Sequence, residues 1–281
     1  MMDRRQKLIE IFEDTQQFYT QNVQLANAVQ EAKAATKLYE ADDYSGEPVA
    51  EGSECMVTVT RHKTFEAAMQ IHAEYPERKI AVLNFASATN PGGGVKTGSS
   101  AQEESLCRCS TLYPTLTQDW LWQQYYQKNR DAHDNLHTDA CIYSPGVIIC
   151  KTDNAYPERM KEKDWVTVDV ISCAAPNLRQ RPGNLHNPEY GAAKKIGLEE
   201  LYHLHLQRAK HILHVAAANG AEALILGAFG CGAFVNDPYV VAKAYADALK
   251  EYKGYSQYIE FAVYCRPDEK INYDAFRRAL E

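Results

Sequence analysis

Three polar residues, Gln102, Glu103 and Glu104, follow Gly92, Gly93 and Gly94 after seven intervening residues, in the stretch "NPGGGVKTGSSAQEESL" from Asn90 to Leu106. Adjacent carboxyl groups can supply a general acid and a general base. A glycine run lets the backbone approach a ligand with no Cβ in the way. Acidic residues also favour a helix N-terminus for electrostatic reasons alone, which would account for Glu103 and Glu104 but not for the neighbouring glycines. On a helix the two carboxylates point about 100° apart, so both can edge one site without facing each other.

A second loop, "GAFGCGAFVNDP", carries Gly227, Gly230 and Gly232 between the apolar run "ALIL" and a capped helix. Successive N–H groups leading into a helix start form an anion site. The loop lacks the last glycine of a dinucleotide fingerprint and the Gly-Lys-Ser/Thr of a P-loop; on pattern alone it is a phosphate cradle or a tight turn. Phe229 and Phe234 flank the glycines and suit either stacking on a base or sugar or simple core packing. Cys231 sits where a thiolate would be stabilised, but a nucleophile needs a paired histidine that the sequence does not place. His133 with His137, and His211 with His214, have helix-face spacing for zinc, and neither pair has a third ligand; surface histidines are the expectation. Trp120, Trp122, Tyr125 and Tyr126 fit helical packing better than an aromatic platform.

The elements that must position these loops alternate. Residues from about Asp3 to Tyr39 read as helix, and "EADDYSGEPVAEGSE" as a linker. Then come a β-branched strand "CMVTVTRH", a helix "TFEAAMQIHAEY", and the strand "KIAVLNFA" that runs into the glycines. A helix from about Ala101 to Leu112 is followed by a helical "WLWQQYYQKNRD". Two short strands are expected in "ACIYSPGVIICKTD", broken at Ser144-Pro145-Gly146, and one in "WVTVDVISCAA". A long helix over roughly Tyr190 to Asn219 stops at Gly220. The strand "AEALILGAFG", the helix "NDPYVVAKAYADALKEY" with its Asn/Asp cap, the strand "YIEFAVYC" and a last helix "YDAFRRALE" complete the chain. This order predicts an α/β fold with a largely parallel or mixed sheet covered by helices on both faces. Ligands in such folds bind beyond the carboxyl ends of the strands, where both glycine loops fall.

The chain has 281 residues, 45% of them hydrophobic, and a formal net charge of −7. That balance argues against duplex nucleic acid as a partner, though not against one small anionic ligand held by backbone amides. Eight cysteines with no C-x-x-C pair read as free thiols in a reducing compartment. The charged start has no signal-peptide core and no stretch suits a membrane span, so a cytoplasmic protein without membrane contact is expected.

"NPGGG" followed by "QEE" is similar to the signature of bacterial-type poly(ADP-ribose) glycohydrolases, enzymes of the macrodomain fold. "LGAFGCGAFVNDP" resembles the family's diphosphate-binding loop, and "NFASATNPGGG", "CAAPN" and the N-terminal helices also match. The resemblance implies a macrodomain-like mixed sheet over residues 46–281 and an N-terminal helical accessory segment over 1–45. It implies hydrolysis of the ribose–ribose bonds of poly(ADP-ribose), with Glu104 as acid/base and no metal or other cofactor. Glu103 would hold ribose hydroxyls, and Gln102 would order the loop and the substrate. Asn90 would lie at the distal ribose, and Gly92, Gly93 and Gly94 would pass over diphosphate and ribose. Gly230, Cys231, Gly232, Ala233 and Phe234 would wrap the diphosphate. The implied partners are poly(ADP-ribose) or ADP-ribosylated proteins. A non-catalytic ADP-ribose reader and a hydrolase of single ADP-ribose modifications remain the alternatives; a reader would need the glycine loops but no acid.

Overall fold

The computed structural model describes residues 3–46, 54–183 and 193–281. Residues 47–53, part of the expected linker, and 184–192, which include the end of the expected loop and the first residues of the expected long helix, lie outside them. Helices α1 (Arg4–Gln21) and α2 (Val23–Ala35) are separate, because the Asn22 side chain accepts from Leu25 N at 3.0 Å and starts the second helix afresh. The expected single helix to Tyr39 therefore breaks once, and it ends in a strand, β1 (Lys37–Tyr39), instead. After β2 (Met56–Thr60), α3 (Thr64–Glu74) and β3 (Ile80–Phe85), the chain passes through the glycine stretch into α4 (Gln102–Cys109).

The helix expected to reach Leu112 stops at Cys109, because Thr111 N donates to Ile148 O at 3.0 Å and pulls the chain onto the sheet. Short helices α5 (Leu112–Leu116), α6 (Asp119–Leu121) and α7 (Gln127–Asp131) follow, the last two joined by a π-helical turn over Trp122–Tyr126. The expected pair of strands around Ser144-Pro145-Gly146 is one strand, β4 (Cys141–Ile149). Its register shifts between Ser144 and Val147, so the proline and glycine occupy a bulge that keeps the strand in the sheet. Gly146 has φ +68°, and its N–H is taken by Asp169 Oδ1 at 3.0 Å.

After β5 (Val166–Cys173), the long helix α8 (Leu198–Ala218) begins later than expected. Lys194 N donates to Asn135 Oδ1 at 2.8 Å instead of to a helical carbonyl. Gly220 closes α8 with φ +69°, the left-handed stop the sequence predicts. Strand β6 (Ala223–Leu226), α9 (Pro238–Tyr252), β7 (Tyr258–Ala262) and α10 (Ile271–Leu280) complete the described residues.

The sheet has the order β1-β4-β5-β3-β6-β7-β2. Strands β5, β3, β6, β7 and β2 run parallel, and β4 is antiparallel to both its neighbours. Side-chain alternation along β3 divides the core between the two faces. Ile80 and Val82 pack with α3, α4 and α5 on one face; Ala81 and Leu83 pack with α8, α9 and α10 on the other. This is the mixed sheet between helical layers that the sequence predicts. All eight cysteines are free thiols, five of them buried. Among the described residues no helix is long and apolar enough to cross a membrane.

The first helix is built into this core. Phe12 is 1% exposed and meets the Tyr113 ring edge-on at 5.0 Å. The fully buried Lys151 donates to Ile11 O at 2.9 Å and pairs with Asp14 at 2.7 Å. Thr15 Oγ1 donates to Arg108 O at 2.7 Å, which ties α1 directly to α4. Phe12→Ala is therefore expected to lower global stability by about 3–5 kcal/mol, measured by urea denaturation followed through β-sheet signals. A segment packed only loosely on the outside would leave that midpoint where it is.

Candidate functional site

The carboxyl ends of β3, β5, β6 and β7 open into one cleft of about 1100 Å³. Asn90, Gly93, Gly94, Gln102, Glu103, Glu104, Gly230, Gly232, Ala233 and Phe234, all singled out in the sequence, line it together. Gly92 and Cys231 do not. Gly92 backs onto Tyr113 and Cys107, and the Cys231 thiol turns down into the core shared by α8 and α9. Burial raises the Cys231 pKa, which removes the reading of this thiol as a nucleophile.

Each of the three polar residues at the start of α4 is fixed by a different part of the β3 end. Gln102 Nε2 donates to Leu83 O at 2.7 Å and to Thr64 Oγ1 at 3.0 Å, and its Oε1 accepts from Phe85 N at 2.9 Å. The amide thus clamps α4 to β3 and α3, with both N–H donors spent on the protein. Glu103 Oε2 accepts from Ser87 N at 2.8 Å, and Asn84 Nδ2 lies 3.5 Å from Glu103 Oε1. Glu104 Oε1 accepts from Gly94 N at 2.8 Å. Its other oxygen, Oε2, is buried and has no protein partner.

The glycines explain how two carboxyl groups fit here. A Cβ on Gly93 would lie 2.5 Å from Glu104 Oε1 and 3.0 Å from Glu103 Oε2, so both carboxyls converge on one point of bare backbone. Gly93 also has φ +56°, and Asn90 Nδ2 donates to its carbonyl oxygen.

Glu103 and Glu104 are 3% and 7% exposed. Burial pushes the Glu103 carboxyl well above the usual carboxylate range, and the Glu104 charge pushes it further. Hydrogen bonds from Ser87, Asn84 and Gly92 oppose that shift without cancelling it. Two carboxyl groups this close and this buried cannot both ionise cheaply, which is the physical cause of the raised Glu103 value.

The second loop is held from beneath by a residue the sequence reading assigned only to a helix cap. Asn236 Nδ2 donates to Pro176 O at 2.7 Å and Gly230 O at 3.0 Å, and its Oδ1 lies 2.8 Å from His205 Nε2. The cap of α9 is Asp237 alone, whose Oδ1 accepts from Tyr239 N and Val240 N. Gly230 has φ +76°, and a Cβ there would meet Ala175 at 2.7 Å. The N–H groups of Gly232, Ala233 and Phe234 donate to no backbone carbonyl among the described residues. Gly232 itself faces open space. Arg179 stands over the Phe234 ring at 5.6 Å.

Sequence reasoning missed Asn84, Ser87, Arg179 and the true job of Asn236. Parity offered a signal for Asn84: it shares a face with Ile80 and Val82 at the strand end, where an amide breaks the apolar run. The expectation of surface histidines holds for His133 but not for His211 and His214, which are buried on α8. His133 and His137 lie beyond α7 with φ +49° and +59°, while His211 and His214 contact the carbonyls of Asp43 and Ser45. Of the aromatic group, Tyr125 and Tyr126 are buried as helical packing requires.

Residues 6–152 match the family model described as "Microbial-type PARG, catalytic domain". Among solved structures, the chain is similar to the poly(ADP-ribose) glycohydrolase of Thermomonospora curvata at 29% identity, with a TM-score of 0.83, covering 98% of this chain and 100% of that one. The same enzyme bound to the inhibitor ADP-HPD matches at 30% identity and TM-score 0.79, over 98% of this chain and 99% of that one. The Deinococcus radiodurans poly(ADP-ribose) glycohydrolase in complex with ADP-ribose matches at 33% identity and TM-score 0.75, over 90% and 97% of the two chains. No curated protein matches the sequence.

The raised Glu103 pKa makes a stability prediction whose sign is fixed. A carboxyl that binds its proton more tightly when folded stabilises the fold below its unfolded pKa, near 4.5, and loses that contribution as pH rises through the folded value. Glu103→Gln is therefore expected to raise the melting temperature at pH 8 relative to wild type, with the gain shrinking towards pH 4.5. Thermal melts at the two pH values check this, and a gain of equal size at both would contradict it.

Proposed function

The chain belongs to the microbial-type poly(ADP-ribose) glycohydrolase family, and on that premise we propose how its cleft cuts the polymer. The reaction is hydrolysis of the ribose–ribose O-glycosidic bonds of poly(ADP-ribose), releasing ADP-ribose. The observation that carries the mechanism is Glu104 Oε2, a buried, unpartnered carboxyl oxygen in the cleft, beside a second carboxyl, Glu103, that burial and the Glu104 charge push well above the usual carboxylate range.

In this reading Glu104 acts as the general acid and gives a proton to the departing ribose oxygen as oxocarbenium character builds at the anomeric carbon. The resulting carboxylate then takes a proton from the water that attacks the same carbon, and the pair is reset. Because one carboxyl serves both steps, water enters on the face the leaving group vacated. Glu103, held by Ser87 N, orients the ribose hydroxyls. Asn90 meets the distal ribose with Oδ1 or its second N–H, the first being given to Gly93 O. The uncommitted amides of Gly232, Ala233 and Phe234 receive the diphosphate, and the Cys231 backbone carries the loop past it. Gly92 and Gly94 shape the turn, and Gln102 holds the start of α4 against β3. The catalytic machinery then belongs to residues 46–281, while the segment 1–45 supplies one wall of the cleft through Arg4, Arg5 and Leu8. A module that only reads ADP-ribose would have no use for the buried carboxyl pair. Proteins that carry ADP-ribose chains present the same unit to these groups.

Glu104→Gln is expected to lower turnover of labelled poly(ADP-ribose) by at least about 10²–10⁴-fold, with products separated by size. Calorimetry should find its affinity for ADP-ribose within a few-fold of wild type, because Gln still accepts from Gly94 N. Near-normal turnover by this variant would remove the mechanism. A wild-type protein that binds ADP-ribose but leaves the polymer intact would favour the reader.

A further inference from the structure

The cleft extends past the carboxyl pair in two directions. Beyond Glu103 it reaches the loop around Gly230, which leans on Ala175 and Asn236. Beyond Glu104 it reaches the first turn of α1. Gly94, whose N–H holds Glu104, packs against Ser99; Arg108 Nη1 donates to Ser99 O at 2.6 Å; and Arg5 Nε donates to Thr97 O at 2.6 Å. The wall on this side is cationic, with Arg4, Arg5 and Arg108 all lining the cleft. Arg5 and Arg108 are engaged by carbonyls of the turn. Arg4 is exposed at the cleft wall and makes no hydrogen bond or ion pair with the described residues. In a chain of net charge −7, three arginines on one wall beside the reacting carboxyl are not explained by average composition.

We propose that this wall is a second anionic subsite, which binds the pyrophosphate of the leaving-group unit through Arg4. The inference rests on the activity assigned above and adds a substrate preference to it. The bond broken joins the anomeric carbon of one unit to the 2′-oxygen of the next unit's adenosine. That adenosine carries its own pyrophosphate, so the atoms leaving from Glu104 bring two further negative charges to the side away from Gly230. The cleft, about 1100 Å³, is lined at one end by Gly230, Gly232 and Phe234 and at the other by Arg4, Arg5 and Leu8. Arg4 meets the pyrophosphate with the planar donor fork suited to phosphate oxygens. A single ADP-ribose attached to a protein side chain presents no pyrophosphate there.

The test compares two substrates with the same scissile bond. One is poly(ADP-ribose); the other is ADP-ribose joined to the 2′-oxygen of adenosine, which keeps the leaving ribose and lacks the second pyrophosphate. The wild-type enzyme is expected to show the higher kcat/KM on the polymer. Arg4→Gln should reduce the ratio of the two kcat/KM values by about tenfold, the loss of one charge-assisted hydrogen bond, and Arg4→Lys should recover part of it. Rising salt should narrow the ratio in wild type more than in Arg4→Gln. An unaltered ratio in Arg4→Gln, or a wild-type ratio near one, would overturn the subsite while leaving the activity standing. A wild-type enzyme that cuts neither substrate would overturn the activity and the subsite with it.

Discussion

The structure turns on a steric constraint: a backbone must pass within hydrogen-bonding distance of two adjacent, buried carboxyl groups. Only a residue without a side chain fits where Gly93 runs, because a Cβ would sit 2.5 Å from Glu104 Oε1. The contact reaches beyond one glycine. It aligns Gly94 N with Glu104, sets the turn that carries Thr97 and Ser99, and thereby seats the first turn of α1. The same turn thus meets both the reacting carboxyl and, through Arg5, the first turn of α1.

The fold supplies the rest by bringing separate loops to one edge of the sheet. Parallel β3, β5, β6 and β7 end together, so the glycine stretch after β3 and the loop after β6 face a common space. Each loop is fastened by an amide side chain with most of its hydrogen-bonding capacity in use. Gln102 clamps the first to the β3 backbone, and Asn236 clamps the second to Pro176 and Gly230. Buried amides of this kind cost free energy unless satisfied. Their satisfaction fixes two loops that their own glycines would otherwise leave free. The buried His205 behind Asn236, whose pKa burial lowers to about 4, stays neutral and keeps that clamp uncharged.

Much of this was legible in the sequence, for reasons that can be named. Strand and helix alternation is a local pattern, and it gave the layered mixed sheet. The spacing from Gly94 to Gln102 was legible because loop and helix start are neighbours in the chain. What escaped depended on contacts between distant segments. Ser144-Pro145-Gly146 looks like a strand break, but Asp169 on the neighbouring strand holds Gly146 in a bulge. The α4 helix looks continuous to Leu112, but Thr111 is drawn onto β4. The integration of α1 depends on Lys151, a buried lysine whose partners lie far back in the chain. Asn236 read as a cap because Asp-Pro follows it, and its longer-range bonds leave no mark on local pattern. Cys231 sits in the loop the sequence marks, yet its thiol points into the core, a choice of side that glycine spacing does not encode.

The most direct test of the central constraint is the turnover of labelled poly(ADP-ribose) by Gly93→Ala, on protein that keeps the wild-type far-ultraviolet circular dichroism. One methyl group must displace the Glu104 carboxyl or the loop, and misplacement of a reacting group by about 1 Å can cost about 10²-fold. A fall of that order in kcat is the result predicted. A Gly93→Ala enzyme that turns over polymer at the wild-type rate would show that the carboxyl pair does not depend on the bare backbone beside it.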